Sequence, residues 1–330
     1  MSIQKILVTG ATGFVGNALC QKLIKSEHFL LPISRQAINK PGWYQVEHID
    51  SQTNWLHLLD GVSQIVHLAA LVHQMGEQGP ETERSYQEVN HLATIKLARD
   101  GVKAGVKRFI YLSSIKVNGE ETVGKAFSED DVPMPDDAYA RSKRDAEAAL
   151  ILLGEETGLD VVILRPPLIY GAEAKGNFCK MVDWIQKGYP IPFSGVRNNR
   201  RSLIFIENLV DIILNCIEKK EPINQVFLVS DGQDVSTGKL IELLHKNLEG
   251  KGHLIGWPPF ILKLLFVLVG RDALSQRLLG SLEIDNRKIR KYLDWKPKFT
   301  LEQGLHITAE KMRGGPGNLN KPLSGKSATF

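Results

Sequence analysis

The most constraining feature of this chain is an apolar run near its start that leads directly into three evenly spaced glycines. The run reads Ile6-Leu7-Val8-Thr9, and the glycines that follow are Gly10, Gly13 and Gly16. Apolar residues at positions 15, 19 and 23 then predict a helix. A turn between a strand and a helix presents backbone N–H groups and the positive end of the helix dipole. The turn is therefore a predicted binding site for a pyrophosphate.

The first half of the chain alternates short β-rich runs with longer helical patterns. The candidate strands cover residues 5–9, 29–33, 45–49, 64–68, 108–112 and 161–164. This alternation is typical of repeated βαβ units, in which helices cover both faces of a parallel sheet. The sequence therefore predicts an α/β fold with a Rossmann-like, doubly wound parallel sheet.

A second, smaller C-terminal lobe is expected after Arg165-Pro166-Pro167, where prolines interrupt the pattern. Residues 1–169 and about 203–217 are assigned to the nucleotide-binding domain, and residues 170–202 and about 218–312 to a substrate-binding lobe. Residues 313–330 are rich in Gly, Pro, Asn and Ser, so we expect a disordered tail.

Charge and cysteine content exclude several classes of protein. The net charge of +4 comes from interspersed acids and bases, so nucleic acid is not an expected partner. Cys20, Cys179 and Cys216 have neither disulfide-framework nor zinc-ligand spacing, so no metal is expected. The N-terminal residues lack an export signal. Together these features favour the cytoplasm.

An apolar segment runs from Pro258 to Gly270 and is interrupted by Lys263. It is shorter than the roughly 20 residues that a transmembrane helix needs, so no membrane span is predicted. Two interpretations stay open, a peripheral membrane contact and the contact of a homodimer.

A tyrosine and a lysine four residues apart, Tyr139 and Lys143, fall on one face of a predicted helix. An ammonium beside a phenol favours the ionised phenol, so Tyr139 can serve as a proton donor or acceptor. Ser114 follows the predicted strand 108–112. Its hydroxyl is therefore expected at the carboxyl end of the sheet, where open α/β folds bind ligands.

Further motifs are spread along the chain. They are His67-Leu68-Ala69-Ala70, Asn90, Tyr111-Leu112-Ser113-Ser114, Tyr139-Ala140-Arg141-Ser142-Lys143, Leu164-Arg165-Pro166-Pro167 with Tyr170-Gly171, the stretch from Arg201 to Asp211, and Leu293-Asp294-Trp295-Lys296-Pro297. With the glycine turn, they resemble the extended short-chain dehydrogenase/reductase family, also known as the NAD-dependent epimerase/dehydratase family. The resemblance covers nearly the whole chain except the tail.

The resemblance implies a role for each matching residue. Ser114 binds the reacting oxygen with Ser113 in support, Tyr139 transfers the proton, and Lys143 tunes Tyr139 and holds the nicotinamide ribose. The implied cofactor contacts are Gly10, Thr12, Gly13, Phe14, Val15, Gly16, Ser34, Arg35, Asp50, Leu68, Ala69, Ala70, Asn90, Tyr139, Lys143 and Pro166. The implied substrate contacts are Ser113, Ser114, Asn177, Arg200 and Arg201, the arginines because guanidinium groups bind diphosphate.

Two residues after the second predicted strand bear on the choice of cofactor. An acid at this position usually binds the ribose 2′-OH of NAD, whereas an arginine suits the 2′-phosphate of NADP. The chain has Ser34-Arg35 here. NADP(H) is therefore favoured, and NAD(H) is the alternative.

The residues after Ser114 narrow the predicted reaction. Family members that dehydrate sugar nucleotides have Asp-Glu at this position, and those that epimerise beside a keto group have a Cys two residues after the serine. Here the residues are Ile115-Lys116. The resemblance thus favours hydride transfer alone, as in a bacterial reductase of a UDP-4-keto-6-deoxy-N-acetylhexosamine. A UDP-sugar 4-epimerase with retained NAD is the alternative, followed by a hydroxysteroid-type dehydrogenase or a non-catalytic NADP-binding sensor.

Overall fold

A seven-stranded parallel sheet forms the centre of the fold. The computed structural model describes residues 3–72, 79–174, 176–221 and 223–313. Its strands are β1 (Lys5–Thr9), β2 (Phe29–Ser34), β3 (Tyr44–Gln45), β4 (Gln64–His67), β5 (Arg108–Leu112), β6 (Asp160–Arg165), β7 (Leu168–Tyr170), β8 (Leu203–Phe205) and β9 (Gln225–Leu228). The large sheet has the order β3-β2-β1-β4-β5-β6-β9, and β7 pairs with β8 separately. The order reverses between β1 and β4, which confirms the predicted Rossmann-like, doubly wound sheet.

Helices connect the strands and continue beyond β9. They are α1 (Phe14–Leu23), α2 (Pro80–Tyr86), α3 (Ala93–Ala104), α4 (Ala138–Thr157), α5 (Asn177–Gln186), α6 (Ile206–Glu218), α7 (Thr237–Asn247), α8 (Pro259–Leu268), α9 (Asp272–Leu279), α10 (Arg287–Tyr292) and α11 (Leu301–Arg313). A π-helical stretch at Gln87–Leu92 joins α2 to α3, and a 3₁₀ turn at Ile115–Val117 follows β5.

The sheet separates two hydrophobic cores because successive side chains of a strand point to opposite faces. Ile6 and Val8 of β1 belong to the core that includes residues of α1 and α6. Leu7 belongs to the other core, with residues of α3 and α4. Because helices cover both faces of the sheet, the side chains on both faces of the strands are mostly apolar. The strands are therefore nearly continuous apolar runs in the sequence, which made them predictable.

Five of the six predicted strands agree with the structure to within one residue at each end. The exception is the strand predicted at 45–49, where the structure has only Tyr44–Gln45. Val46 and Ile49 are buried, but their spacing of three residues is not the two-residue alternation of a strand. Asp50 and Thr53 form a turn with the intervening backbone, so the extended pairing ends early. β9, which extends the large sheet beyond β6, was not predicted, although residues 225–229 are a short β-rich run.

The chain after β6 returns to the large sheet and to the helices that cover it. β9 joins the large sheet from within the range predicted for the substrate lobe, and α6 packs against α1. The division into two lobes stays a prediction. Of the predicted tail, residues 314–330 lie outside the described part of the chain. Among the helices of the described residues, none is long and apolar enough to cross a membrane.

Candidate active site

The glycine turn between β1 and α1 packs so closely against neighbouring backbone that Gly10 and Gly16 have no room for a side chain. Gly10 has a left-handed backbone with φ of +66°, and a methyl group added there would lie 2.7 Å from the backbone nitrogen of Ala69. A methyl group on Gly16 would lie 2.1 Å from the carbonyl oxygen of Gly10. Within the described residues, no side chain caps α1, and its first turn contains no acid. This cradle fits the pyrophosphate of a dinucleotide.

The end of β2 carries the residues predicted to select the dinucleotide. Ser34 is buried, and its hydroxyl accepts a hydrogen bond of 3.0 Å from the backbone N–H of Gln36. Arg35 is exposed. The carboxylate of Asp50 accepts hydrogen bonds from the backbone of Gln52 at 3.0 Å and from the hydroxyl of Thr53 at 2.9 Å. The loop geometry around Asp50 is therefore fixed locally, while Arg35 presents its charge to solvent.

A buried histidine fixes the predicted cofactor loop after β4. The Nδ1 atom of His67 lies 2.7 Å from the hydroxyl oxygen of Thr9, and its Nε2 atom lies 3.0 Å from that of Thr94. Burial, together with the charge of Lys143, lowers the pKa of His67 to about 3, so the ring is neutral. The Thr9 hydroxyl also accepts a hydrogen bond of 3.3 Å from the backbone N–H of Ala69. These bonds tie the loop to β1.

Asn90 ties the same loop to α4 from the π-helical stretch. Its side-chain amide accepts a hydrogen bond of 2.8 Å from the N–H of Leu71 and donates one of 3.0 Å to the carbonyl of Leu71. It also donates to the hydroxyl of Ser142 at 3.1 Å. The resemblance implied that Asn90 contacts the cofactor. The structure shows that its side chain holds the loop that flanks the cofactor cradle.

Ser114, Tyr139 and Lys143 meet at the carboxyl end of the sheet, as the sequence predicted. Tyr139 forms a side-chain hydrogen bond with Ser114. The ammonium of Lys143 lies 6.0 Å from the centre of the Tyr139 ring and donates a hydrogen bond of 2.8 Å to the carbonyl of Leu112. Tyr86 packs edge-on against Tyr139 with ring centres 6.0 Å apart. The three groups therefore surround one position at which a hydroxyl or ketone oxygen can react.

The pKa values of Tyr139 and Lys143 depend more on burial than on the attraction between the two side chains. Burial raises the pKa of Tyr139 above its ordinary value, as does the charge of Asp137, while the hydrogen bond with Ser114 opposes the rise. Burial lowers the pKa of Lys143 to about 7, and Glu147 acts in the opposite direction. The sequence predicts that Lys143 favours the ionised form of Tyr139. In this structure Tyr139 is a neutral phenol, which is the proton-donating form.

We expect the replacement Lys143→Met to raise stability at low pH. The folded pKa of Lys143, about 7, is below its ordinary value of 10.5, so charged Lys143 destabilises the fold most below pH 7. The gain should be on the order of 2 kcal/mol below pH 7 and should shrink as pH rises towards 10.5. Melting temperatures at pH 6, 8 and 10 measure it. The control Lys239→Met changes an exposed lysine and should show no such trend; a pH-independent gain at Lys143 would contradict the argument.

Ser113, which was predicted to support substrate binding, turns into the protein interior. Its hydroxyl donates a hydrogen bond to Glu147, which is ion-paired with Arg165. Arg165 also donates a hydrogen bond of 2.9 Å to the side chain of Asn118. All four residues are buried. Glu147 lies one helical turn after Lys143 on α4, and its negative charge raises the pKa of Lys143.

The two predicted diphosphate arginines differ in their surroundings. Arg200 is exposed and ion-paired with Asp234 and Glu283. Arg201 is half-buried, and its guanidinium donates a hydrogen bond of 3.3 Å to the carbonyl of Gly280. Burial lowers the pKa of Arg201. A partly desolvated guanidinium gains more from a phosphate than one already paired in water, so Arg201 is the stronger of the two candidates.

Pro166 was predicted to contact the cofactor, and Asn177 was predicted to contact the substrate. The carbonyl of Pro166 accepts a hydrogen bond of 2.9 Å from the backbone N–H of Ile115, which links the end of β6 to the turn that carries Ser114. Asn177 is the first residue of α5, and its side chain lies outside the described part of the structure.

A charged cluster that the sequence did not reveal lies beside this site. Lys116 donates hydrogen bonds to Glu120 and, at 2.6 Å, to Asp137, which caps the N-terminus of α4 two residues before Tyr139. Arg277 of α9 lies 3.4 Å from Glu120. Arg277 affects the pKa of Arg201, so the two cations are neighbours. A lone arginine on a helix gives no signal in the sequence. Within the described residues, no group of His, Cys, Asp or Glu could hold a metal ion.

Comparison with known proteins agrees with this geometry. The family model described as "NAD dependent epimerase/dehydratase family" matches residues 6–230. A UDP-glucose 4-epimerase of Vibrio cholerae is 40% identical over 311 residues, which are 93% of this chain and 95% of the relative. This chain belongs to the NAD-dependent epimerase/dehydratase family. The resemblance stated from the motifs is thereby confirmed.

More distant proteins are also similar over most of the chain. A dTDP-4-dehydro-6-deoxyglucose reductase of Escherichia coli is 24% identical, covering 93% of this chain and 97% of the relative. The solved structure of a UDP-glucuronic acid 4-epimerase from Bacillus cereus in complex with NAD superposes with a TM-score of 0.76 at 20% identity, covering 94% and 99% of the two chains. The prediction of an NAD(P)-dependent enzyme is confirmed by the family.

Proposed function

We propose that this protein is a UDP-sugar 4-epimerase that retains its dinucleotide through the catalytic cycle. The observation that carries the proposal is the meeting of Ser114, Tyr139 and Lys143 beside the glycine cradle. Lys116, at the position where dehydrating members have an acid, is paired with Glu120 and Asp137 and offers no acid or base for removing water. The Vibrio cholerae relative favours the epimerase over the reductase that the sequence had favoured.

The chain's residues divide the work of such a reaction between proton transfer and positioning. The bound dinucleotide supplies a nicotinamide that accepts and returns a hydride. Ser114 donates a hydrogen bond to the oxygen on sugar carbon 4. Tyr139 must first lose its own proton, and its phenolate oxygen then takes the proton from the sugar hydroxyl and later returns it. Burial keeps the pKa of Tyr139 high, so proton removal needs nearby positive charge, which Lys143 supplies and Glu147 stabilises. Arg201 holds the diphosphate.

The epimerase proposal predicts activity without added cofactor. Purified protein should release close to one NAD per chain on acid denaturation and should interconvert UDP-glucose and UDP-galactose, or their N-acetyl counterparts, with no net change in absorbance at 340 nm. Product analysis by chromatography measures the conversion. Arg201→Gln should raise the KM at least tenfold with little effect on kcat, whereas the exposed Arg200→Gln should change the KM less than threefold. Absence of both bound NAD and conversion would reject the epimerase.

A UDP-4-keto-sugar reductase is the second candidate, and the end of β2 favours it. Ser34-Arg35 offers a cation and no acid for the ribose of the dinucleotide, which suits NADPH and hence an exchanging cofactor. The reductase should consume NADPH when it is given UDP-4-keto-6-deoxy-N-acetylglucosamine. Arg35→Ala should raise the KM for NADPH at least tenfold and leave the KM for NADH nearly unchanged. Equal use of NADH and NADPH by the wild type would remove this support.

A further inference from the structure

Helix α8 and the residues that flank it expose an unusually apolar surface, which we call the α8 surface. It comprises Trp257, Phe260, Leu264, Leu265, Val267, Leu268 and Val269. Phe260 and Leu268 are each 72% exposed and Leu264 is 59% exposed. These residues recur at four-residue intervals along the outer side of the helix. Isolated exposed apolar residues are ordinary, but a contiguous group of this kind marks a docking surface.

The inner side of α8 is fixed to the rest of the protein. Leu262 is buried, and the ring of Phe266 stacks on Phe193 with centres 6.2 Å apart. Just before the helix, residues 254 and 256 pair with Ile191 and Phe193. After the helix ends, the backbone N–H of Arg271 donates a hydrogen bond of 2.8 Å to the carbonyl of Phe266. The exposed side is therefore presented by a rigid element.

Aromatic and basic residues surround the apolar side chains. Lys263 lies in the middle of α8, and Arg271 follows its end; both are exposed. Trp184 of α5 and Tyr189 lie before the segment that pairs with residues 254–256; their rings pack edge-on at 6.3 Å and are about half exposed. Within residues 183–191 and 251–272, the exposed basic side chains are Lys187, Lys251, Lys263 and Arg271, and the exposed acids are Asp183 and Asp272.

We propose that the α8 surface docks onto a membrane surface containing anionic phospholipids. Ten residues are too few to span a bilayer, so α8 would lie in the plane of the interface with Phe260, Leu264 and Leu268 among the acyl chains. Aromatic residues such as Trp257 are favoured at the level of the headgroups. The excess of basic over acidic residues in the region matches the negative charge of the headgroups.

Lys263 distinguishes a lipid surface from a second copy of this chain. In a symmetric dimer through α8, its ammonium would be removed from water against the same apolar surface of the other copy, which is costly without a partner. At a lipid interface, the four-carbon stem lies along the acyl chains while the ammonium reaches a phosphate. The central lysine therefore fits the lipid surface better.

The proposal is tested by flotation of the full-length protein with lipid vesicles. Vesicles of 70% phosphatidylcholine and 30% phosphatidylglycerol should carry at least ten times more protein than vesicles of pure phosphatidylcholine, and 0.5 M NaCl should reduce the difference. The double variant Phe260→Ser with Leu264→Ser should lose at least tenfold of the binding. Lys263→Gln with Arg271→Gln should lose most of the preference for anionic vesicles.

A matched control variant is Ile24→Ser, which removes an exposed apolar side chain at the end of α1 in the nucleotide-binding part of the fold. It should bind vesicles as the wild type does. Dinucleotide binding and the melting temperature check that each variant is folded. If the wild type does not float with anionic vesicles, the proposal is wrong. If in addition Phe260→Ser with Leu264→Ser converts a dimer to a monomer in sedimentation, the α8 surface is an interface between copies.

Discussion

Replacing Tyr139 by Phe should lower kcat by roughly 10²- to 10⁴-fold, in whichever of the two assays above the wild type is active. The change removes one oxygen atom, the one that exchanges a proton with the substrate. It keeps the ring that packs against Tyr86, so the site should retain its shape. Dinucleotide binding should change less than threefold, because the cradle at Gly10 and Gly16 is untouched.

The surface replacement Tyr189→Phe is the control for loss of a tyrosine hydroxyl, because Tyr189 is half exposed and its ring packs against Trp184. It should leave kcat unchanged. A Tyr139→Phe variant that kept more than one tenth of wild-type activity would show that another group transfers the proton. Ser114→Ala should then be measured, because Ser114 is hydrogen-bonded to the same phenol.

Replacing Gly16 by Ala should disrupt both the fold and dinucleotide binding. The added methyl group would lie 2.1 Å from the carbonyl oxygen of Gly10 and 2.8 Å from the α-carbon of Ala11. Both atoms belong to the backbone, so relief requires α1 to move away from the turn. Overpacking of this severity should cost about 3 kcal/mol, or roughly 5–10 °C in melting temperature. Because the cradle changes shape, the Kd for the dinucleotide should rise at least tenfold.

Gly79→Ala is the matched control for this change. Gly79 precedes α2, its backbone is extended, and a methyl group there would meet nothing within 4 Å. The melting temperature of Gly79→Ala should stay within about 3 °C of the wild type, since replacing this N-cap glycine costs at most about 1 kcal/mol. Calorimetry gives both melting temperatures, and titration with NAD and NADPH gives the Kd. A Gly16→Ala variant with wild-type values would show that the turn adapts without loss.

Much of the site was predictable because its signals are local. The glycine turn is specified by residues 6–16, which need only a strand, a tight turn and a helix in succession. Tyr139 and Lys143 share a helix face because they are four residues apart. Ser114 follows the strand β5, which is recognisable in the sequence as an apolar run. Each of these inferences depends on the geometry of one element or of two neighbours in the sequence.

Features that depend on distant parts of the chain were decided by tertiary packing. The sequence placed Ser113 towards the substrate, but Glu147 and Arg165 draw its hydroxyl into the interior. The sequence also gave no reason to place Arg277 near Glu120, because 157 residues separate them.

The sequence by itself determined the parallel sheet, the glycine turn and the choice of Ser114, Tyr139 and Lys143 as candidate catalytic residues, because periodicity and short spacings fix local backbone geometry. Only the tertiary structure decided that β9 extends the sheet and that the Asn90 side chain holds the loop after β4. It also decided that burial, more than Lys143, governs the pKa of Tyr139. These outcomes depend on which side chains share a desolvated interior, and no pattern along the chain records that.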